Sequence, residues 1–168
     1  MTVTNESHFL NSVLRERIVE HGFIADMWRM LWRRGIHDVE VLRPEFDAGG
    51  YDIVVGRGTL VRHVQFKCKL ASAKTAKVNI SLSLGKKPSG CVLWMVINPD
   101  LTVDHYLWFG GPPHSPLSKI EGYPTARHSK GDATGYKAEK PNMKAVPIKA
   151  FERLDTLEAV AERLLGSL

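Results

Sequence analysis

Cys91-Val92-Leu93-Trp94-Met95-Val96-Ile97-Asn98 carries no charge, and its first polar side chain is the closing Asn. A run of this length and composition reads as the central strand of a sheet, buried on both faces. Such a strand needs a layer of structure against each face. The chain before it supplies a helix and three strands. Val13, Arg17, Glu20, Ile24, Met27 and Leu31 recur at alternating intervals of four and three, which predicts a helix over 12–34. Asn11 or Ser12 can cap it and Gly35 ends it. Residues 38–43 read as a first strand and 51–55 as a second, after the polar turn Asp47-Ala48-Gly49-Gly50. Gly56-Arg57-Gly58 reads as a hairpin turn and 60–70 as the third strand.

Residues 71–77 form a lysine-dotted linker, and 78–84 fits a strand or a short helix equally. After the apolar run, Pro99-Asp100 turns the chain into a strand over 105–109. Residues 110–143 are rich in Gly, Pro and Ser and read as a long irregular surface excursion. A closing helix is expected over 157–165, with Asp155 and Glu158 spaced as a capping box. The order gives an α/β (α+β) fold with a central mixed β-sheet flanked by helices. It also gives one domain over 1–168, with a core at 12–98 and a C-terminal extension at 99–168.

Composition narrows the class. At 168 residues the chain can bury a real core, and 43% hydrophobic with 24% charged residues excludes a disordered polyelectrolyte. No run reaches 18 apolar residues, so no membrane-spanning helix is expected. Met1-Thr2-Val3-Thr4-Asn5-Glu6 has neither a basic nor an apolar region of a secretory signal. Cys68 and Cys91 match no metal spacing and lie in apolar runs, so they read as buried free thiols. A cytoplasmic protein is the expectation. Net charge is +5, and its distribution says more than its size. Residues 53–99 contain no Asp or Glu, yet carry Arg57, Arg62, Lys67, Lys69, Lys74, Lys77, Lys86 and Lys87. Concentrated positive charge favours a polyanion, because phosphate contacts release condensed counterions.

The chemistry lies at the head of that acid-free stretch. Asp52 opens the second strand, and Gln65 and Lys67 stand two apart on the third, where they share a face with Val61, His63 and Lys69. Leu60, Val64, Phe66 and Cys68 face the other way and suit a core. A hairpin brings Asp52 beside Gln65 and Lys67. Phosphodiester hydrolysis needs a divalent cation with oxygen ligands and a cationic group near the nucleophile. Asp52 can bridge Mg²⁺ or Mn²⁺, Gln65 can offer its amide oxygen, Lys67 can orient the attacking water, and Glu20 can complete the acidic shell. Asp26 is the alternative helix acid; Glu20 is preferred because Asp26 shares a more polar face with Arg29 and Arg33. Glu16 and Asp47 rank below both, as a solvated helix charge and a turn residue. Lys69, Lys74, Lys77 and His63 are candidates for contact with phosphate. Trp28 and Trp32 suit packing or a partner surface, and Trp108 could shape a groove rim.

On these residues the chain resembles the PD-(D/E)XK, or restriction-endonuclease-like, nucleases. Glu20, Asp52, Gln65 and Lys67 stand where the family has its helix acid, its strand acid and its (Glu/Gln)-x-Lys pair. The Gln-bearing pair resembles the Mrr-type restriction enzymes, and the helix-then-hairpin order resembles the archaeal Holliday-junction resolvases. The resemblance covers roughly residues 12–98 and implies a Mg²⁺-dependent endonuclease acting on DNA. Tyr51 stands where the family name has Pro, and Gln65 replaces the usual acid with a weaker cation ligand. Two other readings stay open. One is a DNA-binding protein of the same fold that does not cut; the other is a protein that homodimerises through its Trp-bearing helix.

Overall fold

Gly35, at φ +70, stops the long helix where the sequence places its end. In the computed structural model, which describes residues 5–46, 49–117, 120–128, 130–131 and 133–168, that helix is the second of four. Asp47 and Ala48, half of the expected polar turn, lie outside the described residues. Helix α1 spans Asn5–Leu10 and α2 Ser12–Arg33. The inward stripe of α2 is Val19, Glu20, Phe23, Ile24, Met27, Met30 and Leu31. Val13, expected on that stripe, is 74% exposed, because the stripe begins a turn and a half further on.

Strands β1 (Val39–Leu42), β2 (Ile53–Arg57) and β3 (Leu60–Leu70) form an antiparallel meander. The β2–β3 turn is Gly58-Thr59, with Gly58 at φ +58, so Gly56 and Arg57 belong to the strand rather than to the turn. Residues 78–84 combine both expected states: β4 (Lys77–Ser81) runs directly into the single-turn helix α3 (Leu82–Gly85). Then come β5 (Gly90–Ile97) and β6 (Val103–Gly110). β7 (Thr125–Arg127), β8 (Glu139–Pro147), β9 (Glu152–Leu154) and α4 (Leu157–Leu165) follow.

The main sheet has the order β1-β2-β3-β5-β6-β9. It is mixed because β3 and β5 pair in parallel while its other pairs are antiparallel. A parallel pair needs a crossover, and β4 with α3 supplies it. β5 is buried along its whole length. One face of the sheet packs Ile53, Val55, Val64, Phe66, Leu93 and Met95 against Phe23, Met27 and Leu31 of α2 and Val160 and Leu164 of α4. The other face packs Val92, Trp94 and Val96 against Val78, Ile80 and Val146 of a second sheet, β4-β8-β7. That sheet uses residues from the stretch read as an irregular excursion. β8 carries Lys140, Pro141, Asn142 and Lys144 and shows no alternating apolar pattern to announce it. Among the described residues no helix is long and apolar enough to cross a membrane.

Three further expectations change. The cap of α4 is Thr156, whose Oγ1 accepts from the Ala159 N–H at 3.1 Å, while Asp155 pairs with Arg153. Trp108 is buried rather than on a rim. Arg62, counted in the basic stretch, is 1% exposed and faces no polyanion. Its guanidinium lies 5.4 Å from the Trp108 ring centre and donates to the carbonyls of Gly111 (3.0 Å), Arg163 (2.7 Å) and Leu164 (3.4 Å). The last two are orphan carbonyls at the negative end of α4. Arg57 is likewise occupied, by Asp38 at 3.2 Å. Cys91 is buried and Cys68 half-buried, and burial pushes their thiols up to about 12 and about 11.

Arg62→Ala is expected to destabilise the fold by about 3 kcal/mol, since it strips partners from buried carbonyls and leaves a cavity. Arg57→Ala, at the surface, is expected to cost less than about 1 kcal/mol. Urea unfolding of both variants measures the difference.

Candidate active site

β3 is longer than the strand beside it. The last β2–β3 pair in register is Ile53↔Val64, and beyond it the outer edge of β3 has no strand to bond. Buried backbone donors need a partner. Asp52 supplies one: its own N–H donates to the Val64 carbonyl at 2.8 Å, and its Oδ2 accepts from the Phe66 N–H at 2.6 Å. Continuing the register puts Asp52 opposite Gln65. The carboxylate is therefore held on the peptide between Gln65 and Lys67.

The loop before Asp52 is fixed from outside. Gly50 has φ +70, and a Cβ there would lie 2.5 Å from the Ser81 Cβ, so only glycine fits. Ser81 caps α3 through an Oγ that accepts from the Ser83 N–H. The Tyr51 ring meets the His63 ring edge-on at 4.9 Å, and Lys87 Nζ sits 5.2 Å from the Tyr51 ring centre. The position that carries Tyr instead of Pro thus has a packing role here. In the sequence Lys87 was only one member of the basic stretch and Ser81 did not stand out, because both are distant in the chain from Asp52.

Gln65 is 7% exposed, and its Oε1 is buried without a hydrogen-bond partner among the described residues. It is buried because the second sheet covers its face. Glu20 and Lys67, with Glu16, Phe66, Cys68, Thr75, Val78 and Trp94, line a cavity of about 190 Å³ at the bare edge of β3. Glu20 is 8% exposed, and its Oε2 accepts from Arg17 at 3.0 Å and from Arg43 at 3.3 Å. Arg43 follows β1 directly, and no spacing in the sequence links it to Glu20. Glu16, read as a solvated charge, is half-exposed and reaches the same cavity. Asp26 lies elsewhere, paired with Arg29 at 2.7 Å and lining a separate cavity with Tyr106 and Glu158.

The candidate phosphate contacts divide. Lys74 and Lys77 are exposed. Lys69 is tied back, with its Nζ donating to the Ala73 carbonyl at 3.2 Å and lying 5.7 Å from the Trp94 ring centre. His63 is half-buried, and its Nδ1 has no partner among the described residues. Trp28 and Trp32 are exposed, with the Trp32 ring 4.6 Å from that of His37.

The fit of a divalent cation rests on this donor set. Asp52 offers a carboxylate and Gln65 a buried carbonyl oxygen that is unpartnered among the described residues, both hard donors suited to Mg²⁺ or Mn²⁺. No three His, Cys, Asp or Glu side chains gather as a metal-holding group among the described residues. A cation held here would therefore need the neutral Gln65 among its donors.

No protein-family model matches the chain. No curated protein matches it either. Among solved structures, the bacterial homing endonuclease I-Ssp6803I is similar over 74% of this chain and 84% of its own, at 20% identity and a TM-score of 0.38.

Burial, with the charge of Lys87 second, lowers the His63 pKa from its ordinary 6.5. The folded state therefore favours the neutral ring. That contribution to stability is present above pH 6.5 and is lost as pH falls through the lower folded value. Thermal unfolding from about pH 7 to about pH 4 should show a smaller acid loss in His63→Gln than in the wild type. An NMR titration should place the His63 midpoint below 6.5.

Proposed function

We propose that this protein is a metal-dependent nuclease that hydrolyses phosphodiester bonds in DNA. One observation carries the reading: the Asp52 carboxylate is fixed on the Phe66 N–H between Gln65 and Lys67, with the Gln65 oxygen buried and, among the described residues, unpartnered. An unsatisfied buried amide oxygen costs about 1–3 kcal/mol, a cost that a cation ligand would offset. Asp52 and Gln65 would hold Mg²⁺ or Mn²⁺, with Glu20 as the further acid. The ion would neutralise phosphoryl charge and lower the pKa of a bound water. Lys67 would hold the attacking water and stabilise charge that develops on the phosphate. The Asp52 backbone and side-chain hydrogen bonds would keep its carboxylate in place without reorganisation.

Glu20 favours a second reading. With Arg17 and Arg43 both on its Oε2, its charge is largely answered by the protein itself. That suits a protein that holds DNA in the same cleft without cutting it.

The two readings separate on plasmid and oligonucleotide cleavage with Mg²⁺ or Mn²⁺. The nuclease should cut, should stop with chelator, and should lose at least about 100-fold in rate in both Asp52→Asn and Lys67→Met. Asp52→Asn retains an oxygen acceptor for the Phe66 N–H, so its loss would report charge rather than folding. Gln65→Glu should lower the Mg²⁺ concentration needed for half-maximal rate. Cutting at the wild-type rate in Asp52→Asn and Lys67→Met would refute the nuclease. DNA binding with no cutting by the wild type would leave the second reading.

A further inference from the structure

We infer that the outer face of the small β4-β8-β7 sheet is a DNA-backbone track that leads away from the cleft; the inference rests on the nuclease reading for its substrate. Residues on β4 alternate between faces. Val78 points inward to line the Lys67 cavity, while Lys77, one position earlier, points outward into a groove of about 1070 Å³. β4 is the edge strand of its sheet, so a single strand separates the groove from the cleft.

The groove is basic along its length. Lys77 and Lys149 flank its β4 end, and Arg127 and Lys137 lie towards β7, with His128 beside them. All five are exposed. Among the described residues Glu139 is the one acid that lines it, and it is paired with Arg127 at 3.6 Å. The cations extend across the width of the three-stranded sheet, from Lys77 on β4 to Arg127 on β7, about 10 Å at ordinary strand spacing. A spread row of cations matches a row of phosphates better than a single point charge. The row of exposed cations, extended across the sheet, selects the nucleic-acid backbone over an acidic peptide. This gives the 120–149 region a role: it adds exposed cations outside the basic stretch 53–99.

The test is binding of a labelled DNA duplex by fluorescence anisotropy, in chelator, across a salt series. The proteins are the wild type, K77Q/R127Q/K137Q/K149Q, and a control, R29Q/R33Q/R34Q/R153Q, that removes equal charge from exposed sites outside the groove. Each neutralised phosphate contributes about 0.9 to the slope of log K against log salt. The groove variant should lose about 3 to 4 from the slope and at least about tenfold in affinity near 0.15 M salt, while the control should lose far less. Unchanged melting temperatures would show that both variants are folded. Equal losses in the two variants, no affinity in the wild type, or competition by polyglutamate as effective as by unlabelled DNA would each overturn the track. The assay contains no metal and measures no cutting, so its outcome is independent of the cleavage test. A nuclease without this track would cut through Asp52 with the groove variant binding normally. A track without a nuclease would show the slope change with no Asp52-dependent cutting.

Discussion

The hydrogen bond from the Phe66 N–H to Asp52 is the interaction on which the site depends. β3 continues past its partner β2, and a strand edge cannot be left unbonded beside a packed core. A side chain finishes what the backbone ladder leaves undone. The consequence is chemical: a carboxylate is held on the peptide between a buried amide oxygen and a lysine.

The second layer gives that constellation its character. α2 covers one face of the sheet with apolar side chains and brings Glu20 to the edge of β3. The small sheet covers the other face and takes Gln65 out of water. Polar groups enclosed in this way are costly unless they are partnered. The chain answers Glu20 with Arg17 and Arg43. The Gln65 oxygen finds no such answer among the described residues. In the proposed nuclease, that asymmetry would make Gln65 the open coordination position and Glu20 the conditional one.

Much of the first half of this fold was legible in the sequence. Glu20, Ile24, Met27 and Leu31 of the α2 stripe, the span of β3, the alternation of its faces and the double burial of β5 follow from periodicity alone. The small sheet was not legible. β7 is three residues long, and β8 mixes lysines with a proline, so their strand state is imposed by pairing with β4 rather than by propensity. Arg62 was misread because charge predicts exposure, whereas the carbonyls ending α4 create a buried site for a guanidinium 101 residues away in the chain. Arg43 was invisible for the same reason: its partner Glu20 is 23 positions away and is joined to it only by the fold.

The central claim is that Asp52 and Gln65 together bind a divalent cation, and a crystal soaked in Mn²⁺ tests it directly through anomalous scattering. The account predicts a single strong peak between the Asp52 carboxylate and Gln65 Oε1, absent from Asp52→Asn crystals soaked in the same way. A cleft without a peak in the wild type, or a peak that persists unchanged in Asp52→Asn, would contradict it.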